Sequence, residues 1–450
     1  MLTYKTSPYC VSDIKDHIRV GLPLIGTRLL HAVASFINMM FIARLGHTEV
    51  AASALIFGTL SMLTLIMWSF LYSLAVIVGR FHGAGDIKQV NLSLNAGLLL
   101  SIIIAIPFSI IIWNANLILL FFHQNFSLTQ ITEPYFHVFA LSVLPSLWIV
   151  CFDEFVMGIL RAKLVIIWTL ISSPLSLILG YGFLFGKFGL PKFGIAGIAL
   201  ANVVSSWSVF AIIALYFFLD RDLQKYTIFR IKGHAILKYV GKIIKLSWPI
   251  AIQLGTISFA YTFLAYMIGW LNESSLVAHQ IATQYVSVAI MIPYGMAQSS
   301  AVLIAQALGA KRQYVQQLGY YGIILALILV VLFSVVYWSF PKILIAGYLN
   351  LRDINNYGSI ALAVILLGII GITQLTDTIG VIANGILRGF HDTRIPMIIS
   401  LISNWVISIP IGYYFAFILH FGAIGLYYGF LIGSIFGAVI LTKRFNILCK

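Results

Sequence analysis

An aspartate sits within the stretch GITQLTDTIGVIANGILRG, residues 371–389, and the residues before it, from Ile360 on, carry no charge. Thr373, Gln374, Asp377, Gly380 and Asn384 recur at helical spacing, which gathers them on one face of a helix. One carboxylate on such a face suits the wall of a cavity that binds a proton or a cation, because desolvation disfavours a bare carboxylate. The structural alternative is a carboxyl held neutral by a hydrogen bond, with no cycle of charge. Charged groups inside an apolar span are costly enough to point to function. Asp377, Gln374 and Thr373 are therefore the expected cation-coupling residues, and Asn384 is a candidate for lining a substrate cavity.

Of the thirteen acidic residues, two more fall within apolar segments, Asp153 and Glu154. Arg28, His31, Ser35 and Asn38 form a second polar stripe near the N-terminus. Arg28 lies roughly 15 Å from the start of its helix and Asp153 roughly 12 Å from the end of its own. The matching depths suggest a buried network of Arg28, His31, Asn38, Asp153 and Glu154 that moves a proton, or an ion pair that only locks two helices together. His31 has the intrinsic pKa of a pH switch. Gln253, Ile257 and Tyr261 share one face of another helix, and His279 and Gln280 stand near the start of the next. Gln253, Tyr261 and Gln280 join Asn384 as candidate cavity residues.

The elements that hold these residues are membrane spans. The chain is 61% hydrophobic and 9% charged, against about 25% charged in soluble domains. Polar breaks divide it into twelve segments near the roughly 20 residues a spanning helix needs. Most of the 27 Lys and Arg fall in alternate connections, which places both termini in the cytoplasm. That distribution marks topology and argues against a nucleic-acid partner. Cys10, Cys151 and Cys449 lie far apart, so no disulfide framework is expected. The first apolar segment is too long for a cleavable signal.

The chain also repeats itself. Pro23 in GLPLIG matches Pro249 in SWPIAI, and GAGD at Gly83 matches GAKR at Gly309, both 226 residues apart. GILR at 158–161 recurs at 385–388, and FGIAG at 193–197 recurs as FGAIG at 421–425. Four matches in register point to duplication. Six spans per half give both halves one orientation, a parallel repeat of the kind that places transport sites near the midplane. The expected fold is an all-α polytopic membrane protein of twelve helices in two homologous six-helix bundles. Residues 1–220 would form the N-lobe, 221–245 a basic linker and 246–450 the C-lobe. No HExxH, Walker loop, GxSxG or Cys/His metal spacing occurs, so neither an enzyme, a resident metal nor a nucleotide-driven pump is expected.

The two related halves, GLPLIG, GKFGLPKFGIAGIALANVVS at 186–205, VAHQIA and GILRGFHDTRIPM at 385–397 together resemble the multidrug and toxic compound extrusion (MATE) family, over essentially the whole chain. That resemblance implies a V-shaped pair of lobes and export of organic cations and other drugs in exchange for protons or sodium. It matches the family's coupling aspartate, eleven residues before the arginine of GILRG, to Asp377. The helix 7 glutamate of many bacterial members falls on Ile257, the tyrosine one turn before the aspartate on Thr373, and the helix 1 aspartate on Asn38. The helix 5 positions fall on Ser176 and Gly180. The expected function is thus drug/H+ or drug/Na+ antiport in a bacterial-type inner membrane. The protein would act as a monomer among membrane lipids on a small organic substrate, with no cofactor. A lipid-linked saccharide flippase of the same superfamily and an uncoupled facilitator are the alternatives.

Overall fold

A computed structural model describes residues 10–124, 126–228, 234–353 and 356–449. These residues are overwhelmingly helical. The chain begins with α1 (Cys10–Ala43), α2 (His47–Ser69), α3 (Leu74–Gly83), α4 (Ile87–Trp113), α5 (Ala115–Phe121), α6 (Phe126–Ala140), α7 (Val143–Gly158), α8 (Lys163–Phe185) and α9 (Ile195–Leu219). It continues with α10 (His234–Gly269), α11 (Glu273–Ala289), α12 (Met291–Gly309), α13 (Val315–Ser339), α14 (Pro341–Ala346), α15 (Tyr357–Gly389), α16 (Arg394–Leu401), α17 (Ile409–Tyr413) and α18 (Gly422–Leu448). Among the described residues eleven helices are long and apolar enough to cross a membrane. The pair α6 and α7, bent by 52° at Leu141–Ser142, makes a twelfth span if taken as one. Twelve spans is thus the count the hydropathy breaks imply, and in hydrocarbon the helix is the open-chain form that satisfies its own backbone.

The chain forms two compact units, one from Gly26–Ala251 and the other from Met1–Ile25 with Ile252–Lys450. The expected division at residues 220 and 246 differs from this. Residues 235–245 are not a linker but the first turns of α10. Val240 and Ile243 on that helix are buried while Lys238 and Lys245 are exposed. Its lysines therefore mark the polar side of an amphipathic helix, which a count of charges alone reads as a loop.

In the unit of Gly26–Ala251, α7 packs on α3, α4 and α9, and α8 packs on α9. Arg161 of the first GILR motif closes the end of this bundle. Its guanidinium lies 3.0 Å from Asp220 and also pairs with Asp222. Burial opposes ionisation of Asp220, but a hydrogen bond from Tyr216, the Asp222 and Leu223 amides and the Arg161 charge outweigh it and hold the carboxyl below its usual range.

In the other unit α15 is central, packed against α11, α12, α13 and α18. Leu264, Ala278, Leu367 and Leu426 meet in its apolar core. Two threonines on α15 are satisfied within the helix: Thr373 donates to the Ile369 carbonyl at 3.0 Å and Thr378 to that of Gln374 at 2.7 Å.

The span after α16 contains two wide π-helical turns, Ile402–Ser408 and Tyr414–Ile418, either side of α17. Pro410 stands between them. Proline removes a donor and crowds the preceding turn, and a wider turn re-registers the freed carbonyls. Glycines on α18 let this irregular backbone come close. A Cβ at Gly425 would lie 2.6 Å from the Phe415 carbonyl carbon, and one at Gly429 2.6 Å from the Ser408 oxygen. A Cβ at Gly433 would lie 2.7 Å from the Ser403 oxygen. Spacing of four places the three glycines on one face, the small-residue packing membrane helices use in place of a hydrophobic drive.

Candidate functional site

Asp377 projects from α15 into a cavity of about 100 Å³. Its Oδ2 accepts a hydrogen bond from the Tyr261 hydroxyl of α10 at 3.2 Å. Tyr261 is itself held against Phe430 of α18, ring centres 5.4 Å apart. The rest of the wall includes Asn384, Tyr294, Ser400, Asn404 and Ser434, with Gly380 and Gly437 leaving room. Ile257, at the position matched to the absent glutamate, lines it too and adds an apolar surface. A single carboxylate faces a wall of hydroxyls and amides that can orient water, a proton or a small cation.

Several expected residues meet here. Asp377 and Asn384 share the cavity, seven residues apart on one face, and Tyr261 reaches it from α10. The Asn384 carbonyl oxygen is buried with no hydrogen-bond partner. Gln253 stands behind the wall: its amide donates to Ser400 at 2.6 Å and to the Pro396 carbonyl at 3.3 Å. It fixes α10 to the helix that carries the cavity serines.

Thr373 and Gln374 are not among the residues that line the cavity. The Thr373 hydroxyl is spent on its own helix, and Gln374 points into the packed side of α15, 5% exposed with neither amide atom hydrogen-bonded. Gln374 stands only about 60° from Asp377, but on the opposite side from Thr373, Gly380 and Asn384, so it falls at the edge of their shared arc and turns into the packing. An unpaired buried amide costs roughly 1–3 kcal/mol. Gln374→Leu is therefore expected to leave transport intact and to raise the melting temperature in detergent. A loss of transport with unchanged stability would return Gln374 to the coupling machinery.

Gln280 also lies apart from Asp377. It lines a separate hollow with Glu273, Leu276, Gln284 and Tyr348, while its neighbour His279 is buried and hydrogen-bonded through Nδ1 to the Tyr427 hydroxyl at 2.7 Å.

In the unit of Gly26–Ala251 the polar stripe is looser than expected. Arg28 and His31 are exposed, Asp153 is partly buried and Glu154 is 4% exposed. No ion pair joins Asp153 to Arg28 or His31 among the described residues, and Asp153 Oδ1 is buried without a partner. Within the expected network of Arg28 and His31 with Asp153 and Glu154, the Arg28–Asp153 ion pair is not formed, because matching depth along two helices does not make their faces meet. Asn38 turns toward α8 instead: its Oδ1 would lie 3.5 Å from a Cβ at Gly180. Near it Ser176 donates to Asn202 at 3.3 Å.

The cavity residues not singled out beforehand come mainly from the irregular span and from α18. Ser400, Asn404 and Ser408 recur every fourth residue, a stripe present in the sequence but easily passed over. Serines in spans commonly satisfy themselves on their own helix, so they signal a cavity weakly.

The comparisons with known proteins agree with this architecture. A model of the MatE family matches residues 23–182 and again 249–414, one copy in each half of the duplication. A probable multidrug resistance protein NorM of Rhizobium meliloti is 30% identical over 437 residues, covering 96% of this chain and 93% of that protein. Its counterpart in Agrobacterium fabrum is 31% identical over 453 residues, covering 98% and 95%. Among solved structures, a eukaryotic MATE transporter superposes with a TM-score of 0.84 at 18% identity, covering 98% of this chain and 96% of that one. An outward-facing multidrug resistance MATE family transporter of the MOP superfamily superposes at 0.87 and 17% identity, covering 97% and 96%. These likenesses in structure speak for the fold; the paired family match and the full-length relatives speak for descent. The chain belongs to the MatE family.

Proposed function

We propose that this protein is a secondary antiporter that exports amphipathic, cationic organic compounds in exchange for protons taken up at Asp377. The observation that carries the reading is the cavity of α15, in which one carboxylate with a Tyr261 hydroxyl on it faces an otherwise uncharged wall of hydroxyls, amides and apolar side chains. A neutral carboxyl and an anionic one differ by a full charge. An organic cation and a proton therefore compete for the same oxygens, and that competition couples their movements. Relatives that bear the name multidrug resistance protein support the substrate class. The charge pattern supports both termini in the cytoplasm, and the bacterial relatives support an inner membrane of bacterial type. The protein acts as a monomer in lipid and uses no cofactor.

Sodium is the second reading, favoured by the unpartnered Asn384 oxygen and the hydroxyls of Ser400 and Ser434 beside Asp377. Missing from that set is a second carboxylate, because Ile257 replaces it. Everted vesicles containing the protein, loaded with a fluorescent organic cation under an imposed proton or sodium gradient, separate the two. Accumulation driven by protons alone supports the first reading and accumulation driven by sodium alone supports the second. Equal entry with neither gradient would make the protein an uncoupled facilitator.

A further inference from the structure

The unit of Gly26–Ala251 carries a cluster of cations at the end that the charge pattern assigns to the cytoplasm. Lys242 of α10 lies with its ammonium 4.6 Å from the centre of the Phe81 ring and 5.7 Å from that of Tyr239. The two rings are 6.1 Å apart and form a floor beneath it. Tyr239 is fixed by donating to Gln89 at 2.8 Å. Two like charges, those of Arg80 and Lys238, act on Lys242. Lys242 has no carboxylate partner among the described residues. Asp86, the acid beside Tyr239, spends both oxygens on Gln89: one accepts from the backbone amide at 3.0 Å, the other from the side chain at 2.7 Å.

A half-buried ammonium with like charges acting on it and no carboxylate beside it is unfavourable unless an anion joins it. The topology rule alone does not require it, as the duplication shows. At the same 226-residue offset, Tyr239 and Lys242 become Asp13 and Asp16, Arg80 becomes Gln306, and Phe81 becomes Ala307. One half of the repeat thus builds a cation cluster on an aromatic floor where the other half places acids. The helices in common do not demand the positive charge.

We propose that Arg80, Lys238 and Lys242 bind the phosphate of an anionic phospholipid headgroup, with the ammonium of Lys242 held in place by Phe81 and Tyr239. The position suits such a ligand, because basic pockets at the cytoplasmic ends of spanning helices meet lipid phosphates at that depth. Cation–π contact fixes Lys242 without neutralising it, so its charge stays available to the anion.

The test uses the purified full-length protein in neutral detergent, titrated with dihexanoyl phosphatidylglycerol or dihexanoyl phosphatidylcholine and read by native mass spectrometry. Wild type is expected to retain phosphatidylglycerol in preference to phosphatidylcholine. Lys242→Gln should weaken phosphatidylglycerol about fivefold, while Lys242→Arg should keep it. If Lys242→Gln elutes as an aggregate, Arg80→Gln, at an exposed position, carries the same expectation. Unchanged phosphatidylglycerol affinity in folded Lys242→Gln or Arg80→Gln overturns the proposal. So does equal retention of phosphatidylcholine, and so does full displacement of the lipid by a few millimolar inorganic phosphate, which would assign the cluster to a free anion.

Discussion

Replacing Asp377 by Asn is expected to abolish gradient-driven accumulation of organic cations, lowering the ratio by on the order of 100-fold, the upper range of coupling between two ligands. The substitution keeps the shape of the side chain and its capacity to accept from Tyr261, so the cavity should survive. What it removes is the one charge in the wall. At 4 Å and an effective dielectric constant near 20, a unit charge pair is worth about 4 kcal/mol, enough to account for such a loss. Because the amide cannot change its charge, the variant can no longer exchange one cation for another. Vesicle uptake with and without an imposed gradient reads the effect directly, and a normal melting temperature in detergent shows that the fold is intact. Accumulation at the wild-type level would make Asp377 a structural residue and move attention to Asp153 and Glu154.

The second large effect concerns stability. Gly429→Val should destabilise the protein by about 3 kcal/mol, and Gly429→Ala by less but measurably, because the added carbon meets backbone of Gly412 and Ser408 that has nowhere to go. Forcing α18 away would also move Ser434 and open the cavity wall, so transport should fall with stability. Gly380→Ala is the control within the same cavity. A Cβ there has its closest approach at 3.7 Å, to Ala438, an ordinary contact, and the melting temperature should hold. Thermal scans of the purified variants in one detergent decide the matter. Equal stability of Gly429→Val and wild type would mean that the close approach of α18 to the irregular span is not what holds this unit together.

Much of this arrangement was legible in the sequence, and the reasons for the rest are physical. Asp377 stood out because a lone charge in an apolar run is rare. Tyr261 could be placed because 253, 257 and 261 share a helical face, although the sequence does not say that its hydroxyl reaches Asp377. The duplication showed in four short motifs, since glycines and prolines at helix ends leave sharper marks than apolar cores. The limits of the two units were not legible. Contacts, not connectivity, assign residues up to Ile25 to the unit of α15 and residues 235–251 to the other. Nor does hydropathy register π-helical turns, because the same apolar residues serve either winding. The Arg28–Asp153 pairing failed for a related reason: depth follows from residue number, but the rotation of one helix against another depends on packing that no single helix encodes.

The central claim is that Asp377 exchanges a proton for an organic cation at one site. Proton release on adding tetraphenylphosphonium to the purified protein, in weakly buffered detergent without sodium, tests it most directly. The account predicts release from wild type as the cation binds, and none from Asp377→Asn. Release of the same size from Asp377→Asn, or binding by wild type with no release, would contradict it.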